Sequence, residues 1–207
     1  MKAILISIQP KWCELIASGK KTIEIRRSLP KLDAPFKVYI YCTLAGSNEF
    51  FKDVLRGDIA AWNRGNWGIR KGNVIGEFIC SQISTYDYAE MYEPPDWERS
   101  LGDQYYITSG ELECSCLSYE ELTEYGQGVK LYGLHITALQ IYDQPKPLQF
   151  FHKPCPYKLP DGSRMDAPCP CDKYTHEFDE ELGLICCTHR MKTPPQSWCY
   201  VEDKSDG

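Results

Sequence analysis

Within its first 26 residues the chain changes hydrophobic period twice, and that succession leaves few folds open. Ala3-Ile4-Leu5-Ile6-Ser7-Ile8 is a β-branched apolar run, which reads as a buried strand. Pro10 follows at a first-turn position, where its fixed φ suits a helix start. Trp12, Leu15 and Ile16 then fall at i, i+3 and i+4, one apolar face of a short helix. Gly19 supplies the left-handed residue that ends such a helix. Thr22-Ile23-Glu24-Ile25-Arg26 alternates strictly, so a strand is expected with Ile23 and Ile25 facing inward.

The same reading continues along the chain. Residues 37–43 and 74–83 read as strands, the second broken at Gly76, and residues 44–71 as a long loop. Residues 86–117 show no period. Ser118 and Glu121 form a capping-box pair that opens a short helix ending at Gly126. Residues 129–142 are a long strand, or two joined at Gly133, and Trp198-Cys199-Tyr200-Val201 is a last short one. Many short strands with two short helices predict an α+β domain built as a small mixed β-barrel. Its 207 residues allow one full core plus an appendage. No stretch approaches the roughly 18 consecutive apolar residues of a membrane span. The N-terminal run is too short for a signal peptide, so a cytoplasmic protein is expected.

Charge narrows the partner class. The net charge is −6, which argues against a general polyanion binder. Residues 1–40 nevertheless carry eight Lys/Arg against three acids, a local +5 that leaves −11 for the rest. A basic patch on an acidic protein suits a small anionic or nucleotide ligand better than a long duplex.

The segment that carries chemistry is Gly19-Lys20-Lys21-Thr22-Ile23-Glu24-Ile25-Arg26. It sets a cation at a helix-to-strand turn. The two-residue period then places Thr22, Glu24 and Arg26 on one strand face, with neighbours about 7 Å apart. A carboxylate between two cations stays ionised. Glu24 is thereby suited to accept from a base edge, while Lys21 and Arg26 meet phosphate or carbonyl oxygen. The plain alternative is a solvated row of ion pairs. Trp12, Trp62, Trp67 and Trp198 are candidate stacking surfaces, with core packing the alternative for Trp12 and Trp198. Glu77 reads as outward-facing and His135 as a structural histidine.

Gly19, Lys21, Glu24 and Arg26 match the G-x-K-x-x-E-x-R signature, and here the chain resembles the ASCH domains of the PUA-like superfamily. The opening Ile6-Ser7-Ile8-Gln9-Pro10-Lys11-Trp12 and the closing Pro194-Pro195-Gln196-Ser197-Trp198-Cys199-Tyr200-Val201 look like the ends of ASCH proteins common in bacterial and prophage genomes. The resemblance implies a barrel over residues 1–150 with a helix closing one end. It implies a cleft for RNA or a modified nucleoside or nucleotide, with Gly19, Lys11, Trp12, Lys21, Glu24 and Arg26 as its ligand-binding residues. Some small relatives deacylate N4-acylated cytidine with a lysine, a threonine three residues later and a distant glutamate. Lys21 matches the lysine. Glu24 stands where the threonine would be, and Ser115 or Cys116, with Glu113 nearby, falls near the third position. An amidohydrolase using Lys21 and Glu24 is therefore the enzymatic alternative. A ribonuclease, an activity attributed to some ASCH domains, and a protein-interaction module complete the set.

Eleven cysteines is an odd number and excludes complete intrachain pairing. Cys13, Cys42 and Cys80 sit in apolar segments and read as small buried hydrophobes. Six of the eleven follow residue 150. Residues 151–193 are rich in Cys, Pro, Lys and Asp and poor in apolar period, so they read as an insertion ahead of the closing strand and tail, 194–207. Such a segment folds readily around a structural zinc ion. The expected ligands are Cys155, Cys169, Cys171 and Cys186, with Cys187, His152, His176 and His189 as substitutes. Free thiols in a loose loop are the alternative, since C-x-C and adjacent cysteines lack the C-x-x-C spacing of zinc knuckles. Cys114 and Cys116 form a weaker metal candidate.

Overall fold

The computed structural model describes residues 2–44, 71–89, 104–154, 176–179, 183–186 and 190–202. The 3–8 run forms β1 (Lys2–Ile8), followed by α1 (Pro10–Ala17), β2 (Ile23–Arg26) and β3 (Phe36–Cys42). β4 (Asn73–Tyr86), the short pair β5 (Tyr88–Ala89) and β6 (Gln104–Tyr105), α2 (Ser109–Ser115) and α3 (Tyr119–Gly126) come next. β7 (Leu131–Pro147) runs into a 3-10 turn at Leu148–Phe150. The hairpin β8 (His176–Asp179) and β9 (Gly183–Cys186) and the final β10 (Trp198–Glu202) complete the order.

Six strands make the main sheet, in the order β10-β1-β3-β4-β7-β2. β1 and β3 are parallel and every other pair is antiparallel. β1 is buried on both faces, which explains its unbroken apolar run. Ile4, Ile6 and Ile8 pack with Cys13 and Ile16 of α1, while Ala3 and Leu5 pack on the other side with Phe151 and Met191. A third cluster holds α3 to the sheet through Ile23, Ile25, Leu122 and Leu131.

The expected barrel is corrected by this order. Among the described residues the ladder does not close, and β10 and β2 are its two edges. The edges curl together and side chains cross the gap. Arg26 donates to the Ser7 carbonyl at 2.8 Å. The Trp198 indole donates to Ser28 Oγ at 3.0 Å, and the Lys31 amide donates to the Tyr200 hydroxyl at 2.7 Å.

Several finer expectations also change. β4 passes through Gly76 without a break, because β7 bridges the irregular pairing there. β7 is one strand of 17 residues. α2 lies in the stretch that shows no period, opened by a second capping box of Thr108 and Glu111. The Ser118 capping box opens α3 as expected. α1 buries Cys13 and Ile16, with Trp12 and Leu15 half-buried at its flanks. Cys13, Cys42 and Cys80 are buried, as expected of small apolar residues. No described helix is long and apolar enough to cross a membrane.

His152 and Arg190 form an isolated antiparallel bridge outside the named strands, a neck between the two stretches of chain to which they belong.

Candidate functional site

The end of α1 aims the signature residues. Gly19 adopts φ +73°, a conformation that glycine takes at little cost. No atom lies within 4 Å of where its Cβ would be, so backbone conformation, not space, favours glycine here. The Leu15 carbonyl accepts from the amides of both Lys20 and Lys21 at 2.9 Å, which reverses the chain. The Thr22 amide donates to the Cys114 carbonyl and the Ile136 amide to the Thr22 carbonyl, both at 2.9 Å. β2 therefore starts wedged between the end of α2 and β7.

Lys21, Glu24 and Arg26 converge there. The Glu24 carboxylate lies 3.0 Å from Arg26 Nη2 through Oε1 and 3.5 Å from Lys21 Nζ through Oε2. Lys21 also donates to the Ser115 carbonyl at 2.5 Å. Ser115 is the last residue of α2, so its carbonyl has no partner within the helix. A lysine ammonium there satisfies it and opposes the negative end of the helix dipole. Ser115 thus acts on the cluster through its backbone, while its hydroxyl turns back to the Leu112 carbonyl at 2.7 Å. Glu113 is exposed and Cys116 is the left-handed residue capping α2.

The alternative of a solvated row of ion pairs is ruled out by burial. Lys21, Glu24 and Arg26 are only 3%, 6% and 7% exposed, and Thr22 alone of the row faces water. Both faces of β2 are buried: Leu112 of α2 and Leu122 of α3 pack with Ile23 and Ile25, while Trp12 of α1, Ser7 of β1 and the Ser115 carbonyl at the end of α2 contact the charges. Burial on this scale requires that each charge be paired. The pairing is incomplete: among the described residues Glu24 Oε2 and Arg26 Nε have no hydrogen-bond partner.

Lys11 and Trp12 stand beside the cluster. Two lysines share the Trp12 ring, with Lys11 Nζ 4.3 Å and Lys21 Nζ 5.0 Å from its centroid. Trp12 thus meets cations where a stacking base is expected. Lys11 also reaches across to Glu121 of α3 at 3.1 Å. Neither Ser115 nor Glu121 belongs to the eight-residue signature; in the sequence Ser115 stands near the third position of the deacylase pattern, and Glu121 is marked only by its capping pair with Ser118.

The remaining candidates lie elsewhere. Trp62 and Trp67 lie outside the described residues. Trp198 is half-buried against Tyr200, with ring centroids 5.4 Å apart. Glu77 pairs with Lys37 at 3.1 Å and accepts from the Tyr142 hydroxyl. His135 Nε2 lies 2.8 Å from Ser84 Oγ, a structural bond between β7 and β4. A groove of about 520 Å³ runs between β4 and residues 105–111, lined by Ser84, Tyr86, Tyr106 and Glu111.

Of the metal candidates, Cys155, Cys169, Cys171, Cys187 and His189 lie outside the described residues. Cys186 and His176 are partners in the β8–β9 register. His152 is buried at the neck. Among the described residues no three His, Cys, Asp or Glu side chains are grouped to hold a metal.

The signature lysine, acid and arginine are gathered at the β2 edge of an open mixed sheet among the described residues. The chain belongs to the ASCH domain family, whose pattern it matches over residues 6–147. ASCH domains are a PUA-like fold family, generally RNA-binding. Among solved structures it is similar to the ASCH protein of Zymomonas mobilis, at 21% identity and TM-score 0.44, covering 70% of this chain and 73% of that one. A tyrosine-to-phenylalanine variant of the Zymomonas mobilis protein gives 21% and 0.43, with coverage of 72% and 77%. A serine-to-alanine variant of it gives 20% and 0.43, with coverage of 70% and 74%. Among curated protein sequences no relative matches.

Proposed function

We propose that the chain binds RNA or a modified nucleoside at the cluster of Lys21, Glu24 and Arg26. The observation that carries this reading is the incomplete pairing of a buried charge cluster. Glu24 Oε2 is an acceptor and Arg26 Nε a donor, both sealed from water and both without a hydrogen-bond partner among the described residues. Glu24 Oε2 has only the Lys21 ammonium, 3.5 Å away, beside it, and a buried polar group without a hydrogen bond costs stability. A ligand that offers a donor and an acceptor together, as a base edge does, satisfies both. Lys21 supplies a cation at the same place, and the family to which the chain belongs supports nucleic acid as the ligand class.

The test is a titration of fluorescently labelled single-stranded RNA and of a nucleoside library against the wild type, Lys21→Met and Arg26→Met. Methionine keeps the packed stem and removes the charge. Each variant is expected to be destabilised and, at a temperature where circular dichroism still shows it folded, to bind about tenfold or more weakly, since a lost charge-assisted hydrogen bond is worth about 1.5–3 kcal/mol. Unchanged affinity in both variants would sink the reading. Release of acetate from N4-acetylcytidine by the wild type, lost in Lys21→Met, would instead mark the site as hydrolytic.

A further inference from the structure

Glu121 links two features that the ligand site leaves unexplained. Its Oε2 accepts from the Ser118 amide at 2.9 Å in the α3 capping box, which pins the carboxylate in place. Its Oε1 is then aimed across to α1, where Lys11 Nζ lies at 3.1 Å. Lys11 and Lys21 both lie over the Trp12 ring. The hydrogen bonds from the Ser118 backbone and Lys11, with the charges of Lys11 and Lys21, hold the Glu121 carboxyl below the usual range. One fixed anion therefore stands before two lysines, at the rim of a cluster in which Glu24 Oε2 and Arg26 Nε lack hydrogen-bond partners among the described residues. Unlike Lys21, both members of the outer pair are open to water, at 45% and 42% side-chain exposure.

Resting on the nucleic-acid reading of this site, we propose that the Glu121 carboxylate is an internal surrogate for a ligand phosphate. It neutralises Lys11 in the free protein and is displaced when a phosphate-bearing nucleotide or RNA backbone arrives. The ligand class is then a phosphorylated nucleotide whose phosphate takes the place of the Glu121 carboxylate at Lys11, beside the Trp12 ring, with the base directed to Glu24 and Arg26. The exchange swaps one lysine–carboxylate pair for one lysine–phosphate pair. An exposed pair of this kind is weak enough to exchange readily.

Glu121→Gln tests this cleanly, because glutamine keeps the capping box and removes only the charge. Two probes separate this inference from the reading beneath it: inorganic pyrophosphate, followed by the Trp12 indole NMR resonance, and a mixed-sequence single-stranded RNA octamer. The Trp12 resonance is assigned by its loss in Trp12→Phe. Glu121→Gln is expected to bind both probes about two- to fivefold more tightly at low salt. In a Lys11→Ala background the same change is expected to have no effect. Equal affinities for both probes in wild type and Glu121→Gln would overturn the surrogate, even where Lys21→Met still abolishes RNA binding. A pyrophosphate response that sharpens in Glu121→Gln, with no RNA binding by any form, would keep the anion site and discard the nucleic-acid reading.

Discussion

Glu24 is the residue on which the site turns. It is the anion between Lys21 and Arg26, and all three are almost fully buried. Removing one partner of a buried charge cluster leaves the others uncompensated, at a cost of about 3–5 kcal/mol. Glu24→Gln is therefore expected to lower the urea-unfolding free energy by about that amount. Replacing the cluster together, as Lys21→Met, Glu24→Leu and Arg26→Met, is expected to cost far less, because well-packed apolar groups substitute for buried ion pairs with little loss. That contrast, read in one set of denaturation curves, separates a cluster that serves binding from one that serves stability. A triple variant as unstable as Glu24→Gln alone would count against binding as the reason for the charges. The residue types and spacing of this cluster are legible in the sequence. Its burial is not, because period 2 says which residues share a face and nothing of what covers that face.

Elements are joined here by a few close approaches. At Gly76 an added Cβ would meet the Gln140 carbonyl oxygen, in the backbone of β7, well inside contact distance. A backbone atom in a ladder cannot step aside, so β4 and β7 would have to separate locally. Gly76→Ala is expected to destabilise by about 1–3 kcal/mol, the usual cost of overpacking. Gly110, in the first turn of α2, has no atom within 4 Å of an added Cβ. Gly110→Ala is expected to raise stability by about half a kcal/mol, through the lower entropy of the unfolded chain. Thermal melts of the two variants check the pair, and a neutral Gly76→Ala would show that the strands are less tightly engaged. In the sequence Gly76 reads as a break in the strand. The distinction between a break and a close crossing depends on the partner strand, which lies far along the chain. α2 is silent in the sequence for another reason. Its Thr108–Glu111 capping box is present, but a seven-residue helix is too short to display a hydrophobic period.

For the whole molecule, ionisable groups held away from their ordinary values by burial or by hydrogen bonds shape stability with pH. Burial pushes the Cys80 thiol up to about 11 and the Tyr86 hydroxyl up to about 12. A raised value means that the unfolded chain loses the proton first. Their contribution is thus complete below the ordinary values and is lost as pH climbs toward those of the folded state. Glu121 is held below the usual carboxylate range by the Ser118 backbone and by Lys11. At Glu111, burial raises the carboxyl but hydrogen bonds from Thr108, Ser84 and Tyr86 outweigh it and lower it. Their contribution is present above the ordinary carboxylate value and is lost as pH falls through the folded one. The melting temperature is expected to be level from about pH 6 to about pH 9 and to fall on both sides, with the acid limb shallower in Glu121→Gln. An acid limb identical in that variant and the wild type would remove Glu121 from the account.

By itself the sequence determined the local succession of strand, short helix, left-handed glycine and strand, and with it the family signature at Gly19, Lys21, Glu24 and Arg26. Those features follow from period, turn chemistry and residue type within a short span of chain. Only the tertiary structure decided that the sheet stays open between β10 and β2, that the signature charges are sealed between α1, α2 and β1, and that Ser115 and Glu121 complete their surroundings. Such outcomes depend on contacts between residues far apart in the chain, where no local pattern reaches.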